Sequence, residues 1–297
     1  MSAARAFLPF YRRRASALHA ARPGAGLAFC GAFALVALLF EHPLVLLAAT
    51  AGVVAAGVAA GVGSELRRTA RFAVPLALLS VLINPLVAEQ GATLLVRGWA
   101  VLGLRLDVTL EEVAYGGLAG LRLMLLVMAF GLFSAVVDPD DVLRLFRRVS
   151  YRSALTASLG TRLVPVLARD AARMGDAARC RPEPPGRAAV ARAALAGSLE
   201  RAVDVAAALE VRGYGSARRP AREHRRWSRH DVRVALAALL IAAAAVAGRL
   251  AGAGAFAPYP RLSVAAGVPE LVLCGALVAG ALAPFAGRRA RLGVARA

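Results

Sequence analysis

The sequence predicts an all-α polytopic membrane protein with about six transmembrane helices and, between the fourth and fifth, a cytoplasmic domain of two long helices. Three observations predict this. The hydrophobic class makes up 59% of the 297 residues and mean hydropathy is +0.62, against roughly 45–50% apolar content in soluble domains. The apolar residues gather into runs near the ~20 residues that carry a helix across a bilayer. Between the runs stand arginine-rich stretches, and these fall unevenly on the two sides that six crossings would define.

The runs lie at 26–40, 43–63, 72–88, 115–137, 232–256 and 262–287. They divide the chain into an N-terminal membrane part, 1–137, a cytoplasmic part, 138–231, and a C-terminal membrane part, 232–297. The basic start, Arg5 and Arg12 to Arg14, stands well ahead of a first run that leads straight into a second. That pattern differs from a cleaved signal peptide, so the first span is expected to stay in the mature chain. With the N-terminus inside, 31 of the 37 arginines fall on the inner side or in the 138–231 segment. An excess of Arg marks cytoplasmic loops, so both termini are expected in the cytoplasm.

All 37 basic residues are arginine, and the formal net charge is +19. With no lysine, a P-loop cannot place its Lys on a nucleotide phosphate, and Schiff-base chemistry lacks its amine. If ATP is used, another chain binds it. Nucleic-acid binding would interleave aromatics with the basic residues on a soluble face, whereas the basic region offers only Tyr151, Tyr214 and Trp227. Topology and contact with anionic lipid headgroups account for the charge. The three cysteines, Cys30, Cys180 and Cys274, stand far apart and form no metal-ligand pattern with the four histidines.

Within 138–231, Asp138-Pro139-Asp140-Asp141 places acidic residues at a helix N-terminus, leading into a short helix over 142–149. A long amphipathic helix follows over 153–179, with Leu155, Leu159, Leu163 and Met174 on one side and Pro165 expected to kink it. The breaker cluster Arg181-Pro182-Glu183-Pro184-Pro185-Gly186 ends it. A second helix runs over 187–212, with Leu195, Leu199, Ala202, Ala206 and Leu209 repeating near 3.5 residues and Gly213 at the left-handed cap. Each long helix therefore ends in an arginine, Arg179 or Arg212. The helix dipole favours such a residue by some tenths of a kcal/mol, so periodicity alone needs no partner to explain it.

Other features have two readings each. The GxxxG patterns Gly57–Gly61 and Gly116–Gly120 permit close helix approach, or arise by chance in a chain with 28 Gly. Asn84-Pro85 reads as a kink or a substrate contact. Arg122, inside the fourth span, is a functional candidate or snorkels to the outer interface. A membrane-embedded enzyme would need clustered ionisable groups at one depth, and a stand-alone carrier a polar path; the spans offer little beyond Arg122.

The stretch Ser198-Leu199-Glu200-Arg201-Ala202-Val203-Asp204-Val205-Ala206-Ala207-Ala208-Leu209-Glu210-Val211-Arg212-Gly213-Tyr214 resembles the second Ala-Arg-Gly signature of the transmembrane T component of energy-coupling factor (ECF) transporters, the EcfT/CbiQ family. Ser16-Ala17-Leu18-His19, Thr109-Leu110-Glu111-Glu112, Asp138-Pro139-Asp140-Asp141-Val142-Leu143 and Arg162-Leu163-Val164-Pro165-Val166-Leu167 are similar to the family in order and spacing. The resemblance covers about residues 16 to 290. The first signature reads Ala178-Arg179-Cys180, with Cys where the family carries Gly, and the second Val211-Arg212-Gly213, with Val for Ala.

The resemblance implies that the two long helices are crossing coupling helices. Arg179 and Arg212, flanked by Ala178, Glu210 and Gly213, would each dock in a groove of one of two ABC-type ATPase subunits. A planar guanidinium suits bidentate pairing with a carboxylate on a moving partner. The helix faces carrying Leu155, Leu159 and Leu163, and Leu195, Leu199 and Leu209, would slide against each other and against a small substrate-binding membrane subunit. By the same resemblance the chain is a non-catalytic subunit without cofactor in a bacterial plasma membrane, ATP is bound by its partners, and the cargo is a vitamin, a thiamine precursor, cobalt or nickel.

Overall fold

Helix boundaries follow from local chemistry at each end. In the computed structural model, which describes residues 11, 14–87, 94–101, 104–146, 151–183, 185–213, 227–254, 256–257, 263–264 and 267–286, α1 is a single turn, Ala17–Ala20, capped by Ser16. Helices α2 (Pro23–Leu39) and α3 (Pro43–Ala59) each begin on a proline, whose missing N–H costs nothing in a first turn. Next come α4 (Gly63–Val87) and α5 (Leu110–Val136). Thr109 and Glu112 form a capping box at the start of α5, with Thr109 N–H donating to Glu112 Oε2 at 3.0 Å. The helices α6 (Pro139–Phe146), α7 (Tyr151–Arg179) and α8 (Arg187–Val211) lead to α9 (Arg229–Leu250), capped by Ser228 and Asp231, and α10 (Val268–Leu282).

Helices dominate the described residues, and the connections add two antiparallel ribbons. Strands β1 (Leu94–Val101) and β2 (Leu104–Thr109) pair between α4 and α5, with Trp99 opposite Leu106 and irregularities either side of Val96. Strands β3 (Phe256–Ala257) and β4 (Ser263–Val264) pair between α9 and α10. The β1 segment is rich in Leu, Val and Trp, a composition that a pleated surface accommodates. At eight residues it is too short to stand out as a long apolar run.

The six expected spans divide into two kinds. Helices at Leu110–Val136, Arg229–Leu250 and Val268–Phe285 are long and apolar enough to cross a bilayer. The other three are not clear crossings. Helices α2 and α3 hold 17 residues each, about 25 Å at 1.5 Å per residue, against a hydrocarbon core of ~30 Å. The third expected span is the later part of α4, whose first turns carry Glu65, Arg67, Arg68 and Arg71.

The chain divides into two units, one comprising Met1–Pro139 with Trp227–Ala297 and the other Asp140–Arg226. In the first, α4 packs along α5, α2 along α9 and α5, and α3 along α10 and α5. Its core is built from Phe29, Phe33, Leu46, Leu125, Leu132, Ile241 and Leu277, with the Phe29 and Phe33 rings edge to face at 5.5 Å. Leu78, Leu82, Phe130, Leu239 and Leu271 are exposed, as side chains facing lipid would be. In the second unit α7 packs on α8.

The two GxxxG patterns have different fates. Gly116 and Gly120 face α4, and a Cβ on Gly120 would stand 2.6 Å from the Ala77 carbonyl oxygen. Here the missing side chain is what lets two backbones touch. Gly61, by contrast, lies beyond the end of α3 at φ +79°, in the left-handed region that glycine adopts without penalty. Gly57, the other end of that pattern, is buried within α3, where a Cβ would stand 2.6 Å from Leu66 Cδ2, so one glycine of the pair packs and the other ends the helix.

Candidate functional site

The α7–α8 pair is built on one stripe from each helix. Along α7, Leu159, Leu163, Val166, Asp170 and Met174 are half-buried and Ala178 is buried, at steps of three and four that keep them on one side. Helix α7 continues through Pro165. Along α8 the corresponding stripe is Val190, Ala194, Gly197, Arg201, Val205 and Leu209. Met174 sits over Gly197, its Cε 3.7 Å from where a Cβ would be.

The leucines of the expected α8 face divide between the two sides of the helix. Leu195 and Leu199 are 68% and 71% exposed and do not share the half-buried stripe. At the middle of the stripe the small residues Ala194 and Gly197 let α8 approach α7, and Leu195 and Leu199 lie outside it. Of the expected faces, Leu159, Leu163 and Leu209 lie on the packed sides; Leu155 belongs to α7, but its side chain is not among those described.

Among the described residues, one ion pair crosses the two helices, from Arg201 Nη1 to Asp170 Oδ2 at 2.5 Å, and Arg173 also donates to Asp170. These hydrogen bonds, first from Arg173 and then from Arg201, hold the Asp170 carboxyl below the usual carboxylate range. Asp170 and Asp176 border a shallow groove of about 470 Å³ with Val166, Arg169, Ala172 and Arg173. Its charges are engaged locally: Arg179 pairs with Asp176 and Arg169 Nε donates to the Pro165 carbonyl.

At the helix ends, Arg179 is the last residue of α7 and exposed, with Ala178 buried beside it and Cys180 exposed after it. Arg212 is the C-cap of α8; its N–H donates to the Ala208 carbonyl at 3.2 Å. Gly213 follows at φ +76°, with its N–H donating to the Glu210 carbonyl at 2.9 Å. A left-handed glycine closes the helix there, and Glu210, Arg212 and Gly213 are all exposed. Tyr214 and His224 lie outside the described residues.

The membrane unit holds more polar chemistry than a count of charges inside apolar runs suggests. Glu112, Asp231 and Glu270 are buried in the first turns of α5, α9 and α10, where each accepts backbone N–H groups. His42 is fully buried. Arg122 donates to Glu41 Oε1 at 3.0 Å and to the Phe40 carbonyl at 3.4 Å, so the turn between α2 and α3 supplies a partner. Arg14 pairs with Glu65 at 2.5 Å, and Arg22 with Asp231. The signals for the carboxylates were the Thr109/Glu112 and Ser228/Asp231 spacings of capping boxes; nothing in sequence spacing announces partners as distant as Arg122 and Glu41.

Compared with known proteins, residues 14–222 match the family described as CbiQ, cobalt transport protein. No curated protein matches the chain.

Proposed function

Because the chain belongs to the CbiQ family of cobalt transport proteins, the T components of ECF-type transporters, we propose that it is the energy-coupling membrane subunit of an ATP-driven uptake system. It crosses a bacterial plasma membrane six times with both termini in the cytoplasm. Residues 138–231 carry its two coupling helices. Two ABC-type ATPase subunits bind and hydrolyse ATP, and a small membrane subunit binds the cargo. Cobalt(II) is the first cargo to test, ahead of nickel, vitamins and thiamine precursors.

The observation that carries this reading is that the family match includes both helix-end arginines, Arg179 and Arg212. The lysine-free sequence agrees with ATP chemistry residing elsewhere, and both arginines are exposed, as docking requires. In operation, closure of the ATPase pair shifts the two arginines, changes the crossing of α7 and α8, and tilts the cargo-binding subunit. The exposed leucines of α8, Leu195 and Leu199, suit contact with that subunit better than contact with α7.

The test is purification from native membranes in mild detergent, with mass spectrometry of the chains that accompany it. The expected result is P-loop ATPase chains together with a small hydrophobic protein. Purification alone, with solute binding or transport retained, would overturn the reading in favour of a stand-alone carrier.

A further inference from the structure

The chain leaves the membrane unit after Pro139 and returns to it at Trp227. Residues beside both crossings meet the same turn of α2. Val137, the C-cap of α5, is buried against Gly26, where a Cβ would stand 2.8 Å from Val137 Cγ2. Four residues earlier, the Arg22 N–H donates to Asp231 Oδ1 at 2.6 Å and Arg22 Nε stands 3.5 Å from Asp231 Oδ2. The Arg22 guanidinium also lies over the Trp227 ring, 5.5 Å from its centroid.

These contacts exceed what the start of α9 needs. Asp231 already completes a capping box with Ser228, accepting its N–H at 2.8 Å, while Ser228 Oγ accepts from the Asp231 N–H at 3.1 Å. The fully buried Asp231 side chain is nevertheless shared with a helix start 209 residues away. Helix α2 in turn packs along both α5 and α9. Its first turn thus ties together the end of the helix that leads to the cytoplasmic unit and the start of the one that leads back.

We propose that Arg22, the N-cap of α2 four residues before Gly26, is a positioning residue for energy transmission: it holds the start of α9 to the same turn against which the end of α5 rests, so that movement of the cytoplasmic helices reaches the membrane helices as a single displacement. The inference rests on the coupling-subunit reading above. Without the clamp, the start of α9 shifts independently of the end of α5, and the displacement is lost before it reaches the bundle.

The test uses the full chain assembled with its ATPase and cargo-binding subunits in proteoliposomes. ATP hydrolysis and cobalt(II) uptake are measured together. Spin labels on the outer ends of α2 and α5 add a cargo-independent readout of ATP-driven movement. Arg22→Ala, which keeps the backbone N–H bond to Asp231 and removes the guanidinium from Asp231 and Trp227, is expected to assemble and hydrolyse ATP close to the wild type, while uptake per ATP falls about tenfold, the scale of a coupling free energy between sites, and the label movement shrinks. Arg22→Lys, which keeps a cation over Trp227, restores most of both. Gly26→Val, which displaces Val137, uncouples in the same way and serves if Arg22→Ala fails to fold. Unchanged uptake per ATP and label movement in Arg22→Ala or Gly26→Val overturns the proposal, as does loss of hydrolysis and uptake in equal proportion. A wild-type chain that assembles with no ATPase instead overturns the coupling-subunit reading itself.

Discussion

Arg179 and Arg212 pose the sharpest question at the scale of single residues, because a helix-end arginine has both a local and a functional explanation. Locally, a cation at a helix C-terminus gains about 0.3–1 kcal/mol from the dipole, and an exposed pair such as Arg179–Asp176 adds about 0–1 kcal/mol. Reversing either charge therefore leaves the helices folded. If the residues dock on ATPase subunits, Arg179→Glu or Arg212→Glu instead abolishes uptake while membrane insertion, read by the amount of chain in washed membranes, is unchanged. Normal uptake by the double reversal would refute docking. Arg122 shows the opposite case. It lies 12 residues into α5 from Leu110, about 18 Å along the axis, and its guanidinium reaches Glu41 in the turn between α2 and α3.

Among elements, two contacts carry different kinds of specificity. The α4–α5 contact relies on absent side chains, since Gly120 faces the Ala77 carbonyl and Gly131 faces Thr69. In lipid the hydrophobic effect does not drive helices together, and close packing does the work. Gly120→Leu is expected to cost about 1–3 kcal/mol or more through overpacking against backbone, lowering the thermal midpoint of the full chain in detergent; a midpoint equal to the wild type would refute the packing role. The α7–α8 contact relies on Asp170, whose carboxyl is held below its ordinary value by Arg173 and Arg201. A depressed folded value means that its contribution is present above the unfolded carboxylate value of about 3.9 and is lost as pH falls through the lowered one. Acid should therefore weaken the pair only below about pH 4, and Asp170→Asn should remove that part of the dependence. Thermal unfolding followed by helical circular dichroism from neutral to acid pH checks this, and identical acid profiles for variant and wild type would count against it.

For the whole molecule, the arginine distribution predicts which side residues 138–231 occupy. Cys180 is exposed just beyond α7 and serves as a natural probe once Cys30 and Cys274 are replaced by Ala. A membrane-impermeant thiol reagent should leave Cys180 unmodified in intact cells and label it in opened membranes. Labelling from outside would reverse the assigned orientation.

The helices are written into the chain locally, through apolar runs, prolines at N1, the Thr109/Glu112 and Ser228/Asp231 caps, and Gly213 beyond α8. The long pair α7 and α8 was legible for the same reason, from periodicity and from breakers. Which face of a helix meets a neighbour was only partly legible. Leu195 and Leu199 repeat with helical spacing, but small size at Gly197 and Ala194, and a cross-helix partner for Arg201, decided the packed side of α8. Tertiary structure alone brought Arg22 to Asp231, Arg122 to Glu41 and Gly26 to Val137. Those pairings join residues far apart in the chain, and they depend on how helices lie beside one another rather than on any spacing within one.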